Sequence, residues 1–151
     1  MTTFRVPRRE ISARVITEGG QEIQGKLFAA LEGQFGEPGL LIDRLNDDTE
    51  PFLPVVTDDD TVLVNTQRIV MIRVAADAAA GMSDLEGDPV GLRLHLLDGL
   101  ALTGHVHIDL PPENRRVLDY LNHLSRFFAV TTPTGICAVN SRHVVSAREA
   151  S

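Results

Sequence analysis

The sequence predicts a mainly β protein with short helices, organised as two tandem copies of a small, strongly bent antiparallel sheet. Three observations carry this expectation. Apolar residues alternate at period two over short runs, glycine-ended turns separate the runs, and the whole pattern recurs after 75–79 residues. Residues 11–29, ISARVITEGGQEIQGKLFA, return as 90–108, VGLRLHLLDGLALTGHVHI, which sets Gly20 on Gly99 and Gly25 on Gly104 at a displacement of 79. DRLN at 43–46 returns as DYLN at 119–122, displaced by 76, and FLPVVTDDDTVLVNTQRIV at 52–70 returns as FFAVTTPTGICAVNSRHVV at 127–145, displaced by 75. Small loop insertions account for the drift, because added loop length costs little. The expected boundaries are an arm at 1–10, repeats at 11–74 and 90–147 joined by a connector at 75–89, and a tail at 148–151.

Each copy opens with a hairpin. Ile11, Ala13 and Val15 form one inward row, answered by Ile23, Gly25, Leu27 and Ala29; in the second copy Leu92, Leu94 and Leu96 are answered by Leu102, Gly104, Val106 and Ile108. Only a three-residue loop, Glu18-Gly19-Gly20 or Leu97-Asp98-Gly99, puts both rows on one face, and its last position favours a left-handed glycine. Gly25 and Gly104 sit on the inward rows, where a missing side chain permits a sharp bend or close backbone approach. A short helix follows. Val117, Leu118, Leu121 and Leu124 make an apolar face over 115–124, and the first copy has a weaker and shorter version in Leu41, Ile42 and Leu45. Each copy ends in short strands near 52–57, 61–64 and 68–74, and again near 127–132, 136–139 and 143–147. The corner asparagines Asn65 and Asn140 are expected to bond nearby backbone or to adopt a left-handed conformation.

These residues carry a resemblance. The hairpin with a glycine in its second strand, and the corner VNTQRIV at 64–70 or VNSRHVV at 139–145, resemble the partly open small barrels of Sm-like and SH3-like proteins. The D-x-L-N helix ahead of a phenylalanine strand also resembles a group of uncharacterised bacterial domains. An Sm-like relationship implies ring assembly and RNA contact near the corners, carried here by Asn65, Arg68, Asn140, Arg142 and His143.

Composition narrows the function classes. The chain of 151 residues has 14 basic and 21 acidic side chains, a net charge of -7, which disfavours diffuse attraction to a phosphate backbone. The basic cluster Arg5, Arg8 and Arg9 is short and followed by Glu10. No leading apolar segment or membrane-length run is evident, so a cytoplasmic location is expected. The single cysteine, Cys137, aligns with Val62 and reads as a small buried hydrophobe. His95, His105 and His107 lie on one hairpin without a closed zinc set, and Asp58-Asp59-Asp60 reads as a solvated turn lacking calcium-loop spacing. No serine, cysteine or glycine motif points to catalysis or to a bound cofactor, so a non-enzymatic interaction or scaffold role is expected. Arg115, Arg116, Tyr120, His123, Arg126 and Phe127 supply the candidate surface for a protein partner. Small sheets with strand edges to cover also suggest a homodimer.

Overall fold

A computed structural model of the protein describes residues 8–30, 40–75, 86–109 and 117–150. Arg115, Arg116, most of the arm and connector residues 76–85 lie outside them. Ten strands form one open antiparallel sheet: β1 (Arg8–Thr17), β2 (Glu22–Ala30), β3 (Phe52–Val56), β4 (Thr61–Asn65), β5 (Ile69–Ala75), β6 (Asp88–Leu96), β7 (Ala101–Ile108), β8 (Phe127–Thr132), β9 (Gly135–Asn140) and β10 (Val144–Glu149). Two short helices, α1 (Leu41–Leu45) and α2 (Val117–Asn122), precede β3 and β8. Among the described residues no helix is long and apolar enough to cross a membrane.

Spatial order along the sheet is β10-β6-β7-β8-β9-β5-β1-β2-β3-β4. The first half therefore runs β5-β1-β2-β3-β4 and the second β10-β6-β7-β8-β9, the same order of strand ranks in each. The expectation of two bent sheets is corrected in one respect: β5 and β9 pair antiparallel, so the halves share a single continuous sheet. Strands also overrun the expected boundaries. β1 begins at Arg8 and β10 reaches Glu149, because their ladders with β2 and β6 continue that far.

The hairpins follow the alternation. Ile11 faces Leu27, Ala13 faces Gly25 and Val15 faces Ile23, while Leu92 faces Gly104 and Leu94 faces Leu102. Thr17 N–H donates to Gln21 O at 2.9 Å and Leu96 N–H to Leu100 O at 2.7 Å, which closes a three-residue loop in each hairpin. Gly20 and Gly99 end those loops at φ of 83° and 75°. A Cβ at Gly25 would lie 2.6 Å from Val56 O, and one at Gly104 would lie 2.3 Å from Thr131 O. At each glycine the next strand crosses closely, joined by a single residue pair, Lys26 with Val56 or His105 with Thr131.

Two cores result, and each borrows from the other half. Phe127, Ile136 and Ala138 of the second half pack among Ile11, Leu27 and Leu53 of the first. Val70 and Met71 of the first half pack among Leu92, Leu94 and Val106 of the second. This exchange buries β5 on both faces from Ile69 through Ile72 and β9 from Ile136 through Asn140. Two-sided burial is the usual signature of a central strand.

Candidate functional site

The β5–β9 ladder sets the two asparagine corners side by side at one end of the sheet. Each asparagine closes its own corner: Asn65 Oδ1 accepts from Gln67 N–H at 3.0 Å, and Asn140 Oδ1 from Arg142 N–H at 3.1 Å. Their backbones are extended, with φ of -70° and -77°, so the side-chain bond and not a left-handed conformation makes the turn. Asn140 does more. Its buried Nδ2 donates to Ile69 O at 2.9 Å, tying the second corner to the first half.

Glu18, from the first hairpin loop, enters between the corners. Arg68 Nη1 lies 2.9 Å from Glu18 Oε2, and His143 Nε2 lies 3.1 Å from Glu18 Oε1 and 2.9 Å from Gln67 O. Asp98 Oδ2 accepts from Gly19 N–H at 2.7 Å, joining the two hairpin loops. Of the RNA-contact set, the structure brings together Asn65, Arg68, Asn140, Arg142 and His143, but Glu18 already sits against Arg68 and His143. Only Arg142 among its three basic members presents an exposed side chain without a carboxylate partner among the described residues. A phosphate approaching here would compete with Glu18.

Of the partner-surface set, Arg115 and Arg116 lie outside the described residues, and the others play different parts. Tyr120 packs against the second core, and burial pushes its hydroxyl pKa up. His123 remains exposed, with Nδ1 2.7 Å from Asp119 O. Arg126 is only 12% exposed and reaches across the halves to Asp48, Nη1 to Oδ1 2.9 Å, while its Nε is buried without a partner among the described residues. Phe127 is buried in the first core. Arg126 and Phe127 thus act as internal struts. Beside Arg126 an open cleft of about 320 Å³ is lined by Asn46, Asp48, Leu124, Ser125, Ser141 and Arg142.

Asn46, the last residue of DRLN, was not among the residues singled out, although its motif was. Its Nδ2 donates to Phe127 O at 3.0 Å and its Oδ1 accepts from Phe127 N–H at 2.7 Å, so one amide clamps the start of β8 like a strand partner. The recurrence of the asparagine in DYLN was the available signal. The outer strands were missed for a different reason: which strands end a sheet depends on pairings between distant segments. Those edges are β4 and β10, and they carry exposed Leu63 and Val145.

The described residues offer no group of three His, Cys, Asp or Glu able to hold a metal ion. His105 stands opposite Gly91 and His107 opposite Pro89, whereas His95 stands opposite Ala101 near the other end of the hairpin. Cys137 is buried, and burial raises its thiol pKa, so it is a poor nucleophile. No protein family, curated protein or solved structure matches the chain.

Proposed function

We propose that the chain is a non-enzymatic protein-interaction or scaffold module that works through the two ends of its sheet. One observation carries the reading: among the described residues the ten-stranded sheet is open, and each outer strand pairs on one side only and carries an exposed large apolar side chain, Leu63 on β4 and Val145 on β10. Such edges are templates for another strand. The shared strand order of the two halves, with a close-approach glycine in each, supports reading them as tandem copies of an Sm-like or SH3-like unit. RNA binding gains less support, because Glu18 answers Arg68 and His143, and neither corner offers a Phe, Tyr or Trp ring for stacking.

The test compares the intact protein with a Leu63→Asp/Val145→Asp variant in affinity capture from the source cell. The reading expects reproducible protein capture by the intact chain, lost in a variant with an unchanged circular dichroism spectrum. Equal capture by both, or capture dominated by nuclease-sensitive RNA, overturns it.

A further inference from the structure

We propose that chains of this protein associate head to tail, the β10 edge of one chain adding to the β4 edge of the next as β5 adds to β9 inside each chain. The inference rests on the edge-scaffold reading and names its partner as a second copy. The internal junction joins the last strand of the first half to the fourth strand of the second. The strands left over are the fourth of the first half, β4, and the last of the second half, β10. The ends of one chain are therefore the two sides of a junction the chain already makes.

The exposed apolar residues point to the same contact. Four large hydrophobic side chains stand out among the described residues: Phe52 at 54%, Leu63 at 64%, Leu118 at 66% and Val145 at 70% exposure. Through the 75-residue displacement Phe52, Leu63 and Val145 correspond to Phe127, Ala138 and Val70, and through the 76-residue displacement Leu118 corresponds to Ile42. All four counterparts are buried at the junction. Phe127 and Ala138 enter the first core from the second half, Val70 enters the second core from the first, and Ile42 lies on α1, which packs against β8. Val70 and Val145 also occupy matching ladder irregularities, skipped between Thr17–Ile69 and Ile16–Met71, and between Val144–Leu96 and Ser146–His95.

Polar groups repeat the pattern. Asn140 holds Ile69 O and Asn46 clamps Phe127. Their counterparts are Asn65 and Asn122, whose side-chain amide nitrogens have no such partner among the described residues; the matching targets are Val144 O and the Phe52 backbone of a neighbouring chain. Transferring the internal register, in which Met71, Ile72, Arg73 and Val74 face Val139, Ala138, Cys137 and Ile136, sets Ser146 against Val64, Ala147 against Leu63, Arg148 against Val62 and Glu149 against Thr61. Two of the four pairs change on both sides at once. The large–small pair Ile72/Ala138 becomes the small–large pair Ala147/Leu63, and the apolar pair Val74/Ile136 becomes the polar pair Glu149/Thr61. The transferred ladder ends at Thr61. A Cβ at Gly135 would lie 2.1 Å from Val74 O, and the counterpart of Gly135 is Asp60, which has one. The contact between chains is thus shorter and more polar than the internal one, and its assembly depends on concentration. Being heterologous, it yields a closed ring or an open filament instead of a two-fold dimer.

Complementary edge variants test this by sedimentation. Wild type is expected to gain mass with concentration. Leu63→Asp keeps a working β10 edge and Val145→Asp a working β4 edge, so each alone should remain near the 16.5 kDa of a single chain. Their equimolar mixture should form a one-to-one dimer and stop there. The register is checked by oxidising a mixture of Leu63→Cys and Ala147→Cys chains in a Cys137→Val background, with a mixed disulfide expected and no disulfide in either chain alone. A variant that still dimerises alone, a mixture of the aspartate variants that stays monomeric, or disulfides formed only between like chains overturns head-to-tail pairing. A monomeric wild type that captures a different protein, lost on Val145→Asp, overturns self-association and keeps the edge-scaffold reading. Neither assembly nor capture overturns both.

Discussion

The helices α1 and α2 occupy the same place in the two halves and meet opposite fates. By sequence α2 is the stronger amphipath, yet its apolar residues are at most half-buried, whereas Leu41, Ile42 and Leu45 of the weaker-looking α1 are all buried. The difference comes from across the junction. α1 packs against β8 of the other half, and Asn46 at its end grips Phe127; the corresponding place beside α2 lies past the edge strand β10. Burial here records what a helix is set against more than what it contains. The exposed Leu118 is an apolar face lacking a strand.

The comparison breaks first at phenylalanine. Phe127→Ala removes a buried ring from the first core and should cost about 3–5 kcal/mol. Phe52→Ala, at the matching exposed site, should cost less than about 1 kcal/mol in dilute protein. Urea denaturation at low concentration checks both, and equal losses would refute the distinction between junction and edge. Asn46→Ala should cost roughly 1–3 kcal/mol by leaving the Phe127 backbone unpaired, against within about 0.5 kcal/mol for Asn122→Ala. Next comes Gly135→Ala, which drives a Cβ against Val74 O and should cost about 1–3 kcal/mol by parting β5 from β9. Asp60→Ala, on the free edge, should be close to neutral in thermal denaturation of dilute protein.

The hairpins were legible because their determinants are local: alternation fixes the inward rows, and a three-residue loop ending in Gly20 or Gly99 sets the register. The close backbone approach at Gly25 and Gly104 was legible for the same reason. The junction was not. Pairing of β5 with β9 joins residues 60 to 68 positions apart, and its local trace is that Ile69-Val70-Met71-Ile72 is unbroken where a one-sided strand would alternate. The candidate site suffered likewise. Arg68 read as an RNA contact and Arg126 as part of a partner surface, because their acids, Glu18 and Asp48, arrive from 50 and 78 residues away in the chain. Asn140 was recognised as a corner residue from local spacing, but its bond to Ile69 O exists only once the halves meet.

The smallest expected effect compares Cys137 with its counterpart Val62. Both lie on the fourth strand of their half, and Cys137 belongs to the second core. Cys137→Val exchanges a small buried hydrophobe for the residue the first half already uses, so stability at pH 7 should change by less than about 1 kcal/mol. The pH dependence should separate the two proteins. Burial raises the folded thiol pKa above its ordinary 9.0, so in alkali the folded state keeps a proton that the unfolded state releases. Stability from this group is therefore complete below pH 9 and declines as pH rises through the folded value, by at most about 1.4 kcal/mol per pH unit for one proton. Urea titrations of wild type and Cys137→Val between pH 7 and pH 10.5 should run parallel at first and diverge above pH 9, with wild type losing more. Parallel curves throughout, or rapid labelling of native Cys137 by a thiol reagent at pH 8, would show that the β9 row is open to solvent and that the second core does not close over it.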